Sequence, residues 1–110
     1  MDDLNLTWLF DRLPLAYDIA FGYGAWRDDG VGRAEAIDRM IEQNADELQD
    51  TDDAPAVWIG LAVAMMRRAE LVPEIRGKAM DALRQAQLHG RLDPVKAQEL
   101  AQLLTNAAMG

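Results

Sequence analysis

The chain has 110 residues, of which 50% are hydrophobic and 27% are charged, a composition typical of one globular domain rather than a disordered or fibrous chain. It contains no cysteine, no serine and one histidine, which argues against disulfide scaffolds, thiolate metal sites and the usual serine or cysteine nucleophiles. The formal charge of −8 argues against direct binding of nucleic acid, because phosphate groups need a basic surface. We predict a single domain over residues 1–110 that is not an enzyme and needs no cofactor or metal.

The N-terminal sequence gives no sign of a targeting segment. It opens with Met1-Asp2-Asp3, whereas a signal peptide begins with a basic region followed by an apolar run. The longest uncharged stretch, residues 54–66, is shorter than the roughly 20 residues that a membrane helix needs. We therefore predict a cytoplasmic protein without a membrane partner.

The first third of the chain predicts short helices and a loop. Residues 4–11 and 15–21 have helical spacing around Pro14, as either a helical hairpin or a kinked helix. Residues 22–32 include four glycines and predict a long irregular loop, because glycine and aspartate favour turns. This loop would carry Tyr23, Trp26, Asp28 and Asp29.

Residues 31–48 predict one amphipathic helix of about five turns. Apolar residues recur every three or four positions along one side. Carboxylates at similar steps would line the other side, namely Glu35, Asp38, Glu42 and Asp46. Such a row repels itself unless a cationic group lies nearby.

Three further helices are predicted in the second half. Residues 55–70 are apolar on all sides and should form the central helix, with Thr51, Asp52 and Asp53 capping its start. The next helix would open at Pro73 and close at His89-Gly90, and the last would open at Asp93-Pro94. The sequence thus predicts an all-α bundle of four to five helices.

Acidic and aromatic residues are concentrated in the same half of the chain. Residues 1–53 hold 14 of the 19 acidic and 4 of the 11 basic residues, together with six of the seven aromatic residues. Aromatic side chains often contribute most of the energy at the centre of an interface, and charge of one sign speeds encounter with an oppositely charged partner. This distribution indicates a surface that binds a basic protein.

We therefore predict a non-enzymatic inhibitor that occludes a basic surface on a toxin or a nucleic-acid enzyme. Carboxylates would pair with lysine or arginine, while the rings would be desolvated anchors. The predicted binding residues are Trp26, Tyr23, Asp28, Asp29, Glu35, Asp38, Glu42 and Asp46. The plainer alternative places the aromatic rings in the core and treats the carboxylates as a solvated face.

The chain resembles a known class of small binding proteins. It is similar in size, acidity and predicted helicity to the immunity proteins of bacterial toxin loci, and residues 50–62 resemble a segment of small bacterial proteins found near such loci. This resemblance implies inhibition of a toxin by blocking its active cleft.

Three other interpretations remain open. The protein could self-associate, as a homodimer or adaptor, through Met65, Met66 and Trp58. It could mimic nucleic acid and inhibit a nuclease or surveillance complex. A weak divalent-cation site could form from Asp46, Asp50 and Asp53.

Overall fold

The computed structural model describes residues 5–107 and contains seven helices in this range. They are α1 (Thr7–Arg12), α2 (Pro14–Asp28), α3 (Arg33–Gln43), α4 (Ala45–Gln49), α5 (Ala54–Arg67), α6 (Pro73–Leu88) and α7 (Pro94–Asn106). The predicted all-α class is confirmed. The predicted number of helices is too low, because α1 and α4 are separate elements of six and five residues. Leu4, the first residue of the predicted helix 4–11, lies outside the described residues.

Helix α5 is the centre of the fold, as its apolar circumference predicts. Ten of its 14 residues are buried, and it packs most extensively against α2 and α6. Gly60 is the point of closest approach, since a Cβ atom there would lie 2.5 Å from the carbonyl oxygen of Ala16. The absence of a side chain at Gly60 therefore lets α2 rest directly on α5.

Helices α3 and α4 form an outer layer on this core. Helix α3 packs against α2, and α4 packs against α5. Only Ala36 and Met40 of α3 are buried, and α4 has no buried residue. Half of the 16 residues in these two helices are exposed to solvent.

The predicted loop over residues 22–32 is wrong for most of its length. Helix α2 continues through Gly22 and Gly24 to Asp28. A Cβ atom at Gly22 would lie 2.8 Å from Cε of Met40, so this glycine gives α3 room to pack on α2. Contacts between helices thus outweigh the weak helix propensity of glycine, which costs about 1 kcal/mol per residue.

The predicted single helix over residues 31–48 is interrupted at Asn44. The Asn44 side chain donates a hydrogen bond from Nδ2 to the carbonyl oxygen of Met40 at 2.8 Å. Asparagine often competes for backbone groups in this way and favours helix ends. As a result, Asp46 belongs to α4 and not to the helix that carries Glu35.

Predicted caps are correct for α7 and wrong for α5. The Asp93 carboxylate accepts a hydrogen bond from the backbone N–H of Lys96 at 3.0 Å. By contrast, Asp53 makes no side-chain cap bond, because its own backbone is already helical. At the end of α6, Gly90 has the predicted left-handed backbone, with φ +68°.

The two aspartates give a matched test of capping. We expect Asp93→Ala to lower the free energy of unfolding by about 1 kcal/mol, because the Lys96 N–H loses its partner. Asp53→Ala also removes an aspartate side chain at the start of a helix whose first turn contains a proline. Because that side chain makes no cap bond, the free energy of unfolding should change by less than about 0.5 kcal/mol. Urea denaturation of both variants measures the difference, and equal losses would contradict the assignment of the cap.

Candidate functional site

Three of the four predicted carboxylates share one exposed face of α3. Glu35, Asp38 and Glu42 are exposed, and at ~100° per residue they lie within about 60° of one another around the helix axis. Asp46 is also exposed, on α4. We call Glu35, Asp38, Glu42 and Asp46 the acidic face.

The arginines of α3 turn back toward the protein. Arg33 donates a hydrogen bond from Nη1 to the carbonyl oxygen of Glu70 at 3.4 Å. The Arg39 guanidinium lies 4.4 Å from the centroid of the Trp26 ring and donates to Oε2 of Glu35 at 2.5 Å. Within residues 5–107, no basic side chain forms an ion pair with Asp38 or Glu42. These two carboxylates therefore face solvent without a described counter-charge.

The four predicted binding residues on α2 and at its end occupy different environments. Trp26 is half-buried under Arg39, and Asp29 is exposed at the C-cap. The Asp28 side chain is 74% exposed and accepts a hydrogen bond from Arg68 at 3.2 Å. Tyr23 is 0% exposed, so its predicted role as a docking anchor is wrong. Its ring lies on the side of α2 that packs into the core.

The hydroxyl of Tyr23 belongs to a buried polar cluster that the sequence did not predict. It donates a hydrogen bond to Oε2 of Glu70. Arg27 donates from Nε to Oε2 of the same carboxylate at 2.9 Å and from Nη2 to Oε1 at 2.8 Å. Because the Glu70 side chain is only 12% exposed, this paired geometry ties the end of α2 to the segment after α5.

The cluster shifts the protonation equilibria of its members. The two hydrogen bonds from Arg27 hold the pKa of Glu70 below its ordinary value, against the opposing effect of burial. Burial and the bond to Glu70 raise the pKa of Tyr23. The pKa of Arg27 is raised by its bond to the carboxylate. At neutral pH the cluster therefore holds an ionised Glu70, a protonated Arg27 and a neutral phenol.

A left-handed residue directs Glu70 into this position. Ala69 has φ +56°, which is uncommon for a residue with a side chain, and the Glu70 N–H donates to the carbonyl oxygen of Met65 at 2.9 Å. The prediction that the central helix runs to residue 70 is therefore three residues too long. Glu70 is the sole acidic residue between Ala54 and Pro73, and this isolation was the available signal of a special role.

The most exposed aromatic rings lie on another flank of α2. Tyr17 and Phe21 are 51% and 67% exposed, and their ring centroids lie 6.3 Å apart. Phe21 and Trp26 are separated by roughly 140° around the helix, at ~100° per residue. The structure thus does not bring these exposed rings together with the acidic face, contrary to the prediction of one shared surface.

The region predicted for self-association has few available apolar groups. Met65 is buried in the core. Trp58 is half-buried, and the Lys78 ammonium lies 4.9 Å from the centroid of its ring. Met66 is also half-buried, so Met65, Met66 and Trp58 do not form an exposed apolar surface.

The described residues offer no assembled metal site. Over residues 5–107, no group of three or more histidine or acidic side chains is placed to hold a metal ion, and this includes Asp46, Asp50 and Asp53. The Asp50 carboxylate instead accepts a hydrogen bond from the Asp52 N–H at 2.8 Å. In the same range, no helix is both long and apolar enough to cross a membrane.

Comparison with known proteins gives no further indication of function. No protein-family model, curated protein or solved structure matches this chain.

Proposed function

We propose that this protein binds a basic partner protein through the acidic face and inhibits it by covering its active or nucleic-acid-binding surface. The observation that carries the proposal is the arrangement of α3, whose carboxylates point outward while its arginines turn inward. A surface of one sign accelerates encounter with an oppositely charged partner and fixes its orientation.

The acidic face has room for a partner because α3 and α4 are peripheral. Few of their side chains are needed for the core, so the exposed carboxylates are available to pair with lysine or arginine. Asp38 and Glu42 are the first candidates, since binding would not require them to leave an ion pair within the described chain. Glu35 must share its carboxylate with Arg39.

Trp26 and Asp29 extend this surface at the end of α2, whereas Asp28 pairs with Arg68 on the other side of the helix and does not join it. Trp26 lies under Arg39, which also bonds Glu35, so the ring borders the acidic face. Tryptophan and arginine are enriched among residues that dominate binding energy. In the proposed complex, Trp26 is the apolar contact at the edge of the acidic face, beside Arg39.

The proposed partner is a toxin or an enzyme that acts on nucleic acid, because such proteins use basic clefts to hold phosphate groups. An inhibitor that covers such a cleft competes with the substrate without performing chemistry. The resemblance to immunity proteins supports this role, and we place it in the cytoplasm.

A set of charge variants tests the proposal. Glu35→Gln, Asp38→Asn and Glu42→Gln are combined in one protein, which is immobilised and used to capture partners from cells of the source. We expect the wild-type protein to retain one or a few proteins with pI above ~9, and the triple variant to lose at least about tenfold of this binding.

The matched control neutralises three carboxylates elsewhere. Glu74→Gln, Asp81→Asn and Glu99→Gln lie on α6 and α7 and remove the same number of charges from the formal −8. The control variant should bind the partner as tightly as the wild type does. The control variant and the wild type should both inhibit the activity of the purified partner. Equal loss in both triple variants would assign binding to net charge and contradict a specific acidic face.

A further inference from the structure

A second candidate surface lies between α2 and α5, away from the acidic face. It is a groove of about 300 Å³. Rings of Phe10, Tyr17 and Phe21 contribute to it from α1 and α2, and Arg67 and Arg68 from the end of α5. We call it the α2–α5 groove.

The groove exposes aromatic surface that the core does not use. Tyr17 and Phe21 are among the most exposed large apolar residues, and Phe10 meets Tyr17 edge to face at 5.3 Å between centroids. Aromatic and arginine side chains are enriched in protein interfaces. An exposed cluster of both therefore indicates contact with another macromolecule.

Within the part of the chain that the structure describes, the groove offers one arginine that is free to pair with a ligand. Among the described residues, its lining contains two arginines and no acidic residue. Arg68 is held by Asp28 at 3.2 Å and lies 3.8 Å from Glu70. Arg67 pairs with no carboxylate within residues 5–107 and lies 6.0 Å from the Phe10 ring centroid. A carboxylate of a ligand would therefore give Arg67 an ion-pair partner.

Small residues give the groove its depth. Ala20, Gly24 and Ala64 line it together with the rings and the arginines, and Ala64 is buried. A Cβ atom at Gly24 would meet no other atom of residues 5–107 within 4 Å, so the missing side chain leaves open space. The volume is at the lower end of the roughly 300–1,000 Å³ typical of ligand pockets, which suits one large apolar side chain rather than a folded surface.

We propose that the α2–α5 groove binds an acidic peptide segment of a partner protein, with an aromatic or leucine side chain inserted over Gly24 and a carboxylate paired with Arg67. Nucleic acid is disfavoured because it carries a phosphate at every nucleotide and needs a continuous basic path, whereas one carboxylate of a peptide is enough to pair with Arg67. This interaction goes beyond the proposed inhibition, and it uses a different flank of α2.

The first test identifies the preferred ligand. Phage-displayed random 12-residue peptides are selected on the wild-type protein, and the enriched peptides are synthesised and measured by fluorescence anisotropy. We expect them to be net negative with a central aromatic residue or leucine. Exchange of their Asp and Glu for Asn and Gln should weaken binding at least about fivefold. Enrichment of neutral or basic peptides, or a library without specific binders, would overturn the proposal.

The second test uses matched variants of the groove. Gly24→Leu fills the open space, whereas Gly77→Leu adds the same side chain to an unobstructed helical position on α6. Gly24→Leu should weaken binding at least about tenfold, and Gly77→Leu should leave it unchanged. Arg67→Gln should weaken it about fivefold, while Arg84→Gln on α6 should not. Equal affinity of Gly24→Leu and wild type would overturn the proposal.

Two further measurements distinguish peptide binding in the groove from binding at the acidic face and from self-association. Neutralisation of Glu35, Asp38 and Glu42 should not reduce peptide binding. The peptide assay therefore tests the groove alone, and its result does not depend on whether the acidic face binds a basic partner. Sedimentation at micromolar concentration is expected to show a monomer. A wild-type dimer that Gly24→Leu abolishes would assign the groove to a second copy and contradict an acidic partner segment.

Discussion

Replacing Gly60 by alanine is expected to destabilise the protein by about 3 kcal/mol or more. The new Cβ atom would lie 2.5 Å from the carbonyl oxygen of Ala16 and 2.9 Å from Cβ of Ile19. Neither atom is the end of a flexible side chain, so the backbones of α2 and α5 must separate. Thermal unfolding followed by circular dichroism should show a midpoint lower by roughly 10 °C or more.

The same substitution at Gly77 is the matched control. Gly77 lies inside α6, where a Cβ atom would meet no atom of the described part of the chain within 4 Å. Gly77→Ala should therefore raise the free energy of unfolding by about 0.5–1 kcal/mol, because alanine is the better helix former. The two variants should shift stability in opposite directions. A neutral or stabilising Gly60→Ala would contradict the close packing of α2 on α5.

Glu70→Gln is expected to lower the free energy of unfolding by about 2–3 kcal/mol at pH 7, because it removes the charge that binds Arg27 in a largely buried site. The pKa of Glu70 is lower in the folded protein than its ordinary value of about 4.3. Its ionised form therefore stabilises the folded state fully above that value, and the contribution declines as pH falls through the lower, folded-state pKa. Urea denaturation from pH 7 to pH 3 measures this effect.

The control for the pH effect is Tyr23→Phe. This variant loses the hydrogen bond to Glu70 but keeps the ring in the core and the ion pair with Arg27. It should lose about 1–2 kcal/mol and retain an acid-dependent decline in stability like that of the wild type. Glu70→Gln should flatten that decline. An equal pH dependence in Glu70→Gln and wild type would contradict an ionised Glu70 in the cluster.

The fold class and several helix boundaries could be predicted because their signals are local. Asp93-Pro94 and Gly90 specify a helix start and end through their own backbone and side-chain chemistry. Gly22 and Gly24 gave the wrong prediction, because close packing at Gly22 depends on Met40, which lies 18 residues further along the chain. Short-range propensity cannot represent such a contact.

The same difference between local signals and contacts distant in the chain explains which parts of the candidate sites could be predicted. The shared face of Glu35, Asp38 and Glu42 follows from helical periodicity alone and was predicted. The cluster of Tyr23, Arg27 and Glu70 joins residues more than 40 positions apart, and no periodic pattern links them. Burial of Tyr23 likewise depends on the approach of α5, so its assignment as an exposed anchor could not be corrected from the sequence.

The rate of association between this protein and the captured basic partner tests the acidic face most directly. Stopped-flow measurements would compare the wild type with the combined Glu35→Gln, Asp38→Asn and Glu42→Gln variant between ~20 and ~200 mM salt. We expect the wild-type rate constant to fall about tenfold or more as salt screens the charges. The variant should associate slowly at both salt concentrations. Equal rate constants and salt dependence for the two proteins would contradict docking through α3.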